Sequence, residues 1–291
     1  MRFTRTKAVF AAAGLALSLA ACGGGGGSTD VEVADNPSFD AGTTMQKLAD
    51  AGKVKIGVKF DQPGIGFKEP GSDAPNGIDI EMGRILAAGL GIADDDIEWV
   101  ETVSENREPF LQKGRVDMVI ASYSITDERR QVVGQAGPYY VTGQQLLVRE
   151  EDKDAFTSPE DAEGKKVCSV TGSTSLQRME DEYGASPVPF ATYSECVDQL
   201  LNGTVDAVTT DGAILLGYAA DNPDELEVVG EPFSEERYGV GFKKDDSEMC
   251  NYITDTLQQA MDDGKWAEAF EATLGESGVD TPEPPTMDSC A

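Results

Sequence analysis

The chain contains no histidine. This absence excludes two kinds of site, catalytic groups that use an imidazole base and metal centres that use imidazole ligands. Basic residues are also scarce, because 23 Lys and Arg stand against 53 Asp and Glu and leave a formal net charge of -30. Nucleic-acid binding requires clustered Lys and Arg. We therefore expect no nucleic-acid partner.

Phosphate-binding loops are missing as well. The sequence has no GxxxxGK[ST] motif, and GIGFKE at 64–69 lacks the third glycine of GxGxxG. The missing phosphate loops lead us to expect no nucleotide cofactor, so any ATPase must be a separate chain. The lack of histidine leads us to expect no metal. An acidic surface repels anions, so an anionic ligand has to be held by strong local positive groups.

The N-terminal apolar stretch is too short for a membrane span. Ala8–Ala21 is an uncharged run of fourteen residues, and crossing a bilayer takes ~20. It follows Arg2, Arg5 and Lys7. This pattern predicts an export signal over residues 1–21.

The residues at the end of this signal predict a lipid anchor. Leu19-Ala20-Ala21-Cys22 resembles the lipobox of bacterial lipoproteins, in which the cysteine becomes the lipidated first residue. A pentaglycine follows, which suits a flexible tether over residues 22–44. A diacylglyceryl group supplies two chains, enough for stable anchoring to the outer face of the cell membrane. An ordinary secretory signal with an incidental cysteine is the alternative.

Four further cysteines lie in the exported part, and none of them forms a CxxC pair. In an oxidising compartment they predict two disulfides, for which three pairings exist. We favour Cys168 with Cys196 and Cys250 with Cys290. Free buried thiols are the alternative.

The fold class is predicted to be α/β. From residue 53 onward, short β-branched runs alternate with helical patterns, which is typical of parallel sheets covered by helices. Two similar series are expected. The first has strands at 54–60, 97–102 and 116–121 and helices at 78–91 and 106–114. The second has strands at 165–170 and 205–211, helices at 173–183 and 193–203, and a short PVPF segment.

An internal repeat supports two lobes built to one plan. LQKGRVDMVIA at 111–121 and LLNGTVDAVTT at 200–210 share a helix end, a glycine and a Gly-x-Val-Asp-x-Val strand. Crossovers between the lobes are expected at 142–150 and 230–244. The predicted division is lobe 1 at 45–145, lobe 2 at 146–236, a return to lobe 1 at 237–275 and a Pro-rich tail at 276–291.

Polar residues follow the ends of three predicted strands. They include Ser122, Ser124 and Arg129 in ASYSITDERR, Gly172, Ser173 and Thr174 in TGSTS, and Asp211. In open α/β sheets, ligands bind outside the carboxyl ends of strands. An arginine and helix-terminal amides opposite an aspartate suit a zwitterion, such as an α-amino acid. A solvated surface charge is the alternative reading of Arg129.

The motifs together resemble a known family. NGIDIEMGRIL, LQKGRVDMVIASYSITDERR, GPYYVTGQQLLV, TGSTS and VDAVTTD resemble the family 3, polar amino acid class of extracellular solute-binding proteins of ABC transporters. KFDQPGIGF, CSVTGSTS, TYSECV and TTDGAILLGY are most similar to the glutamate-binding lipoproteins of Actinobacteria. The resemblance covers about residues 45–275. It implies a type II fold with two lobes, two crossover strands and a ligand cleft between the lobes.

The resemblance also implies roles for individual residues. Arg129, Ser124 and Thr174 would hold the α-carboxylate, and Asp211 would hold the α-ammonium. Contacts from the main chain or a hydroxyl are implied for Ser122 and Gly172, and the Ser173 amide belongs to the helix-terminal anion site. Lys59 and Arg107 stand where the acidic amino acid binders hold the side-chain carboxylate, and the remaining candidates for the pocket are Tyr123 and Tyr193. The FDQPG segment departs from the family pattern and leaves Phe60 and Asp61 without a role.

The predicted function is therefore a monomeric binding protein, not an enzyme, that delivers an amino acid to an ABC permease with separate ATPase subunits. Glutamate is the first choice and aspartate the second, because glutamine would leave two cations poorly paired at a cost of roughly 2–5 kcal/mol. The alternatives are a binder of glutamine or another polar amino acid, a ligand sensor, and a dehydratase-like enzyme that uses Asp117 and Asp206.

Overall fold

The structure is a computed structural model that describes residues 31–290. The predicted signal at 1–21, Cys22 with its lipobox, and the pentaglycine lie outside the described residues. Within residues 31–290, no helix combines the length and the apolar character needed to cross a bilayer.

Helices and strands alternate along the chain, as the sequence predicts. The helices are α1 Thr44–Ala51, α2 Ile78–Gly89, α3 Arg107–Gln112, α4 Asp127–Arg130, α5 Thr174–Asp181, α6 Tyr193–Leu201, α7 Gly212–Asp221, α8 Ser247–Asp262 and α9 Lys265–Glu271. The strands are β1 Val54–Val58, β2 Asp61–Gln62, β3 Gly66–Phe67, β4 Ile97–Glu101, β5 Met118–Val119, β6 Gly134–Thr142, β7 Gln144–Arg149, β8 Lys166–Val170, β9 Ser186–Phe190, β10 Ala207–Asp211, β11 Leu226–Val229 and β12 Glu236–Phe242.

Two five-stranded sheets carry the fold, and they share one plan. The first sheet has the order β4-β1-β5-β12-β6, and the second has the order β9-β8-β10-β7-β11. In each, three neighbouring strands are parallel and the fourth, supplied by a chain segment crossing from the other sheet, is antiparallel to the third. The α/β fold class is confirmed.

The repeated Gly-x-Val-Asp pattern has a structural explanation. Asp117 Oδ2 accepts a hydrogen bond from the main-chain N–H of Lys55 at 2.9 Å, and Asp206 Oδ2 accepts one from that of Lys166 at 2.8 Å. The N–H of each aspartate donates in return to the carbonyl of the same lysine, at 2.8 Å in both cases. Each aspartate thus fixes the start of the neighbouring strand. This structural role accounts for the two carboxylates that the enzyme alternative would use.

The two chain segments that connect the sheets lie side by side. β6 in the first sheet ends at Thr142, and β7 in the second begins at Gln144. The Gln144 N–H donates to Ser234 Oγ at 3.0 Å, just before β12 returns the chain to the first sheet. A Cβ on Gly143 would lie 2.4 Å from the Ser234 carbonyl oxygen, so glycine permits this close approach. The exact lobe boundaries at 145/146 and 236/237 stay predictions.

Both favoured cysteine pairs are disulfides in the structure. Cys168 pairs with Cys196, joining β8 to α6, and Cys250 pairs with Cys290, joining α8 to the C-terminal segment. The Cα atoms are 5.5 and 5.9 Å apart.

The C-terminal segment, predicted as a Pro-rich tail, is fastened to the first sheet. Asp288 forms ion pairs with Arg130 at 2.8 Å and with Arg237 at 2.6 Å. Its main-chain N–H donates to the carbonyl of Gly137 in β6 at 2.6 Å. Together with the nearby disulfide at Cys290, these contacts hold the segment in place although residues 278–290 have no regular secondary structure.

Residues 31–43, predicted as part of a flexible tether, also lie against the body of the protein. The N–H of Ala34 donates to the carbonyl of Ala88 in α2 at 2.9 Å. Phe39 packs edge to face on Tyr252 of α8, with ring centroids 5.8 Å apart. The structure differs from the expectation here because apolar side chains, Phe39 and Val31, find a buried surface among the helices of the first sheet.

Candidate functional site

A polar cavity lies between the carboxyl ends of the two sheets. From the first sheet's side, it is lined by Ser104, Arg107, Ser122, Ser124 and Arg129. From the second sheet's side, it is lined by Ser173, Thr174, Ser175, Tyr193, Thr210 and Asp211. Arg129 and Asp211 therefore face one cavity, in the arrangement that the zwitterion hypothesis requires.

Arg129 is held at the cavity wall by carbonyl groups from both sides. Its Nη1 donates to the Ser124 carbonyl at 2.7 Å, and its Nη2 donates to the Gly172 carbonyl at 3.1 Å. Nε lies 3.4 Å from Glu108 Oε1. The side chain is buried, so Arg129 is not the solvated surface charge of the alternative interpretation.

Arg107 is a second buried guanidinium beside Arg129. Its Nε donates to the Ser104 carbonyl at 3.1 Å, and its Nη2 donates to the Gly172 carbonyl at 3.1 Å. Its Nη1 lies 3.2 Å from the carbonyls of both Ala121 and Ser122. Burial, together with the positive charge of Arg129, lowers the pKa of Arg107 to about 10. These carbonyl contacts fix the guanidinium with one edge at the cavity.

Gly172 joins the two sides of the cavity. Its carbonyl accepts hydrogen bonds from both arginines, which belong to the first sheet's side, whereas Gly172 follows β8 of the second sheet. Its φ is +80°, and a Cβ would lie 2.9 Å from Glu105 Cα. A glycine is needed here both for the left-handed backbone and for the close approach of the two chain segments.

Lys59 does not line the cavity, but it forms a hydrogen bond with Ser104, which does. Its Nζ donates to Ser104 Oγ at 2.8 Å. Lys59 and Arg107 are each 2% exposed, which rules out the interpretation that they point to solvent. Burial, followed by the repulsion of Arg107, lowers the pKa of Lys59 to about 7.

Tyr123, predicted as a pocket residue, lies behind the arginines. The guanidinium carbons of Arg107 and Arg129 lie 4.6 and 5.0 Å from the centre of its ring. Its hydroxyl donates to Glu108 Oε1 at 2.7 Å. Tyr123 is fully buried and supports both cations through the face of its ring.

Asp211 is the acidic group on the opposite wall. Its Oδ2 accepts a hydrogen bond from the Tyr238 hydroxyl at 2.6 Å. Its Oδ1 is buried and has no hydrogen-bond partner within residues 31–290. Burial, followed by the negative charge of Glu236, raises the pKa of Asp211 to about 7. This carboxylate therefore presents an unused acceptor in the cavity.

A polar network supports the second sheet's wall, and sequence reasoning missed most of it. Thr174 Oγ1 donates to Glu236 Oε2 at 3.0 Å, and Arg178 Nη1 lies 2.8 Å from Glu236 Oε1. The same Arg178 nitrogen donates to Gln144 Oε1 at 2.6 Å. Arg178 thus ties both connecting segments to α5, whose N-terminus presents Thr174. Of these residues, only Thr174 was selected from the sequence, because it follows a predicted strand in TGSTS.

Asp79 is another buried acid, and no local pattern in the sequence marks it. Its Oδ2 accepts from the main-chain N–H of Ser122 at 2.7 Å, and its Oδ1 accepts from the Tyr139 hydroxyl at 2.5 Å. Ser122 has a φ of +43°, uncommon for a residue with a side chain. The bond to Asp79 holds Ser122 in this conformation, with its carbonyl toward Arg107. Burial raises the pKa of Asp79 to about 6.

Ser173, Tyr193 and the remaining second-sheet residues complete the cavity. Ser173 caps α5, because its Oγ accepts from the N–H of Leu176 at 3.0 Å. Tyr193 begins α6, and its hydroxyl accepts a hydrogen bond from Thr210 Oγ1 at 2.7 Å. Ser104, Ser175 and Thr210 line the cavity but were not predicted from the sequence. Of these three, Thr210 could have been suspected from the sequence, because it directly precedes Asp211 at the end of a predicted strand.

The arrangement is suited to holding a small zwitterion that carries a further negative group. The first sheet's wall supplies two guanidiniums and, through Ser104, a buried lysine. The second sheet's wall supplies a carboxylate with a free acceptor and the N-terminus of α5. Water-poor surroundings strengthen each of these interactions.

Most of the chain is similar in sequence or in structure to known proteins. Residues 54–276 match the family described as bacterial extracellular solute-binding proteins, family 3. The chain is 39% identical over 287 residues to the glutamate-binding protein GluB of Corynebacterium efficiens, covering 94% of this chain and 92% of that protein. It is 34% identical over 260 residues to the glutamine-binding protein GlnH of Bacillus subtilis, covering 89% and 92%. An ancestral arginine-binding protein, solved bound to glutamine, superposes with a TM-score of 0.72 at 34% identity over 77% of this chain and 98% of that chain.

Gly172→Ala is expected to separate the two sides of the cavity. The new Cβ would clash with Glu105, and alanine at positive φ costs roughly 1–2 kcal/mol in addition. Gly203→Ala is the matched control, because Gly203 has a φ of +75° but open space around its Cβ position. Small-angle X-ray scattering should show a larger radius of gyration for Gly172→Ala alone. Equal radii for the two variants would contradict the close contact.

Proposed function

Because the chain belongs to the bacterial extracellular solute-binding proteins of family 3, we propose that it captures L-glutamate in the cavity between the sheets and delivers it to an ABC permease. The observation that carries this proposal is the placement of Arg129 and Asp211 on opposite walls of one cavity.

The backbone of the amino acid is assigned to the two opposed charges. Its α-carboxylate pairs with Arg129, supported by Ser124 and by the N-terminus of α5 at Ser173 and Thr174. Its α-ammonium pairs with Asp211, whose Oδ1 is buried without a partner in the described chain. A buried unpaired acceptor is costly, so a ligand that donates to it is favoured.

The side-chain carboxylate is assigned to the group formed by Arg107, Ser104 and Lys59. Lys59 donates to Ser104 Oγ, so the Ser104 hydroxyl is free to donate its own proton into the cavity. Arg107 adds a buried positive charge at the same wall. The proposed role of Lys59 is therefore to polarise Ser104, not to touch the ligand.

Glutamine is the second candidate ligand, because GlnH of Bacillus subtilis is named as a glutamine-binding protein at 34% identity. Two observations favour glutamate. GluB of Corynebacterium efficiens is the more similar relative. The buried cations at Arg107 and Lys59 also favour an anionic side chain, and a neutral amide would leave them less well paired.

Capture is proposed to occur by hinge closure. The two sheets with their helices act as lobes, and the adjacent connecting segments at Gln144 and Ser234 act as the hinge. The lobe boundaries near 145/146 and 236/237, the lipid anchor at Cys22 and a monomeric state are part of this proposal. The sequence patterns support the lobe boundaries (the internal repeat) and the lipid anchor (the lipobox).

Arg129→Ala is expected to abolish glutamate binding, with a loss of about 2–5 kcal/mol, because the α-carboxylate loses its main partner. The matched control is Arg130→Ala, since Arg130 is the next residue but pairs with Asp288 away from the cavity. Isothermal titration calorimetry measures both. Retained affinity in Arg129→Ala would remove the carboxylate assignment.

Lys59→Met is expected to weaken glutamate binding at least tenfold more than glutamine binding. The substitution keeps the apolar stem and removes the charge that polarises Ser104. Measuring both amino acids on the same variant controls for general damage to the fold. Equal losses for the two ligands would argue against a role in reading the side-chain charge.

Glutamate binding is expected to release a proton at pH 6 and to weaken as pH falls from 7 to 5. The pKa of Asp211 is about 7 in the free protein, so the group is mostly neutral at pH 6 and must ionise to hold an ammonium. The pKa of Lys59 is also about 7, so Lys59 is already charged at pH 6 and contributes no opposing proton uptake. Calorimetry in two buffers of different ionisation enthalpy counts the protons. Proton uptake, or affinity that rises as pH falls from 7 to 5, would contradict this assignment.

A further inference from the structure

The FDQPG segment at 60–64 contains Asp61, which does not line the cavity. Asp61 begins β2, which pairs with β3 in a short hairpin. The hairpin belongs to the first sheet's side, since the N–H of Asp79 in α2 donates to the carbonyl of Ile65 at 2.9 Å. A second bond of this kind runs from the N–H of Ile78, the first residue of α2, to the carbonyl of Gly64 at 3.0 Å.

The Asp61 carboxylate reaches a helix of the other side. Its Oδ2 accepts a hydrogen bond from the main-chain N–H of Tyr193 at 2.7 Å. Tyr193 is the first residue of α6, which packs on β8, β9 and β10 of the second sheet. The two bonded residues are 132 positions apart in the chain.

The N-terminus of α6 is built to leave this donor available. Thr192 and Glu195 form a capping box, in which Thr192 Oγ1 accepts from the Glu195 N–H and Glu195 Oε2 accepts from the Thr192 N–H. The N–H of Tyr193 lies between them and is satisfied by Asp61 instead. The first turn of a helix carries a partial positive charge, so a carboxylate is the favoured acceptor.

Two further contacts join the hairpin to the second sheet's side. The hydroxyl of Tyr218 in α7 donates to the main-chain oxygen of Asp61. A Cβ on Gly217 would lie 2.6 Å from the carbonyl oxygen of Pro63, so α7 meets the hairpin at a glycine. Asp61 and Tyr218 are not among the described residues that line the cavity.

We propose that Asp61 is a positioning residue for ligand retention, which latches the two sides of the molecule together by capping α6 across the cleft. The inference rests on the proposed function, because a latch matters for binding only if the sides open and close. The bonds of Asp61 to Tyr193 and Tyr218 exist only when the sides are together. They stabilise the closed form without touching the amino acid, and they fix the start of the helix that places the Tyr193 ring at the cavity.

The consequence is kinetic. Ligand enters the open form, in which the latch is broken, and leaves after the latch breaks again. Removing the latch therefore speeds dissociation and does not slow association. Asp61→Ala is expected to raise the Kd for L-glutamate about tenfold through koff, and Asp61→Asn, which keeps an uncharged acceptor, is expected to raise it about threefold.

Stopped-flow fluorescence with L-glutamate on the full-length protein measures kon and koff separately. Asp73→Ala is the matched control, because it removes the same charge from an exposed position in the following loop. Tyr218→Phe tests the second bond without changing charge and should also raise koff. If Asp61→Ala fails to fold, Asp61→Asn and Tyr218→Phe carry the test.

Scattering without added ligand separates this proposal from the proposed function. Asp61→Ala should have a larger radius of gyration than the unchanged protein, whether or not glutamate is the ligand. If the unchanged protein does not bind glutamate, the proposed function fails and the scattering comparison still decides the latch. A radius equal to that of the unchanged protein, a koff within twofold of it, or a loss of affinity that resides in kon would each overturn the latch.

Discussion

Two guanidiniums share one carbonyl oxygen, and the rest of the site depends on that arrangement. Arg107 and Arg129 both donate to Gly172 across the junction of the two sheets. Burying two like charges side by side is unfavourable unless their N–H groups are satisfied. The carbonyls of residues 104, 121, 122 and 124 provide this on one side, and Gly172 provides it on the other. Positive charge is thus concentrated at one point of a chain whose formal net charge is -30.

The shared plan of the two sheets explains how these polar groups come together in one place. Each sheet places three parallel strands with their carboxyl ends at the cavity, and each uses an aspartate at the start of its repeated strand to lock the register. Because the carboxyl ends of the two sheets face each other, polar residues from both sheets meet at the cavity. The walls then differ in charge, because Arg107 follows β4, Arg129 follows β5 and Asp211 ends β10. The opposed charges follow from local sequence on a common scaffold.

The sequence predicted the parts of the molecule that repeat a local pattern. Alternating β-branched and amphipathic runs located strands β1, β4, β5, β8 and β10 and helices α2, α3, α5 and α6. Strand-end polarity selected Arg129 and Asp211. α7 was missed because its residues are apolar on every side, so no helical face stands out in the pattern. Asp79, Gln144, Arg178 and Glu236 were missed for a different reason. Their partners are distant in sequence, and nothing local distinguishes a buried acid from a surface one. Tyr123 and Lys59 were predicted to contact the ligand, but the cavity wall is formed by residues in front of them.

The packing of residues 31–43 on α2 and α8 has a mechanical consequence. Both ends of the described chain meet the same side of the molecule, since Ala34 is bonded to Ala88 and Cys290 is bridged to Cys250. A force applied through the N-terminus is therefore borne by the first sheet and its helices. The chain joins the second sheet to this side only through the two connecting segments within residues 31–290, so in the proposed closure the second sheet is the side that would move relative to a surface holding the N-terminus.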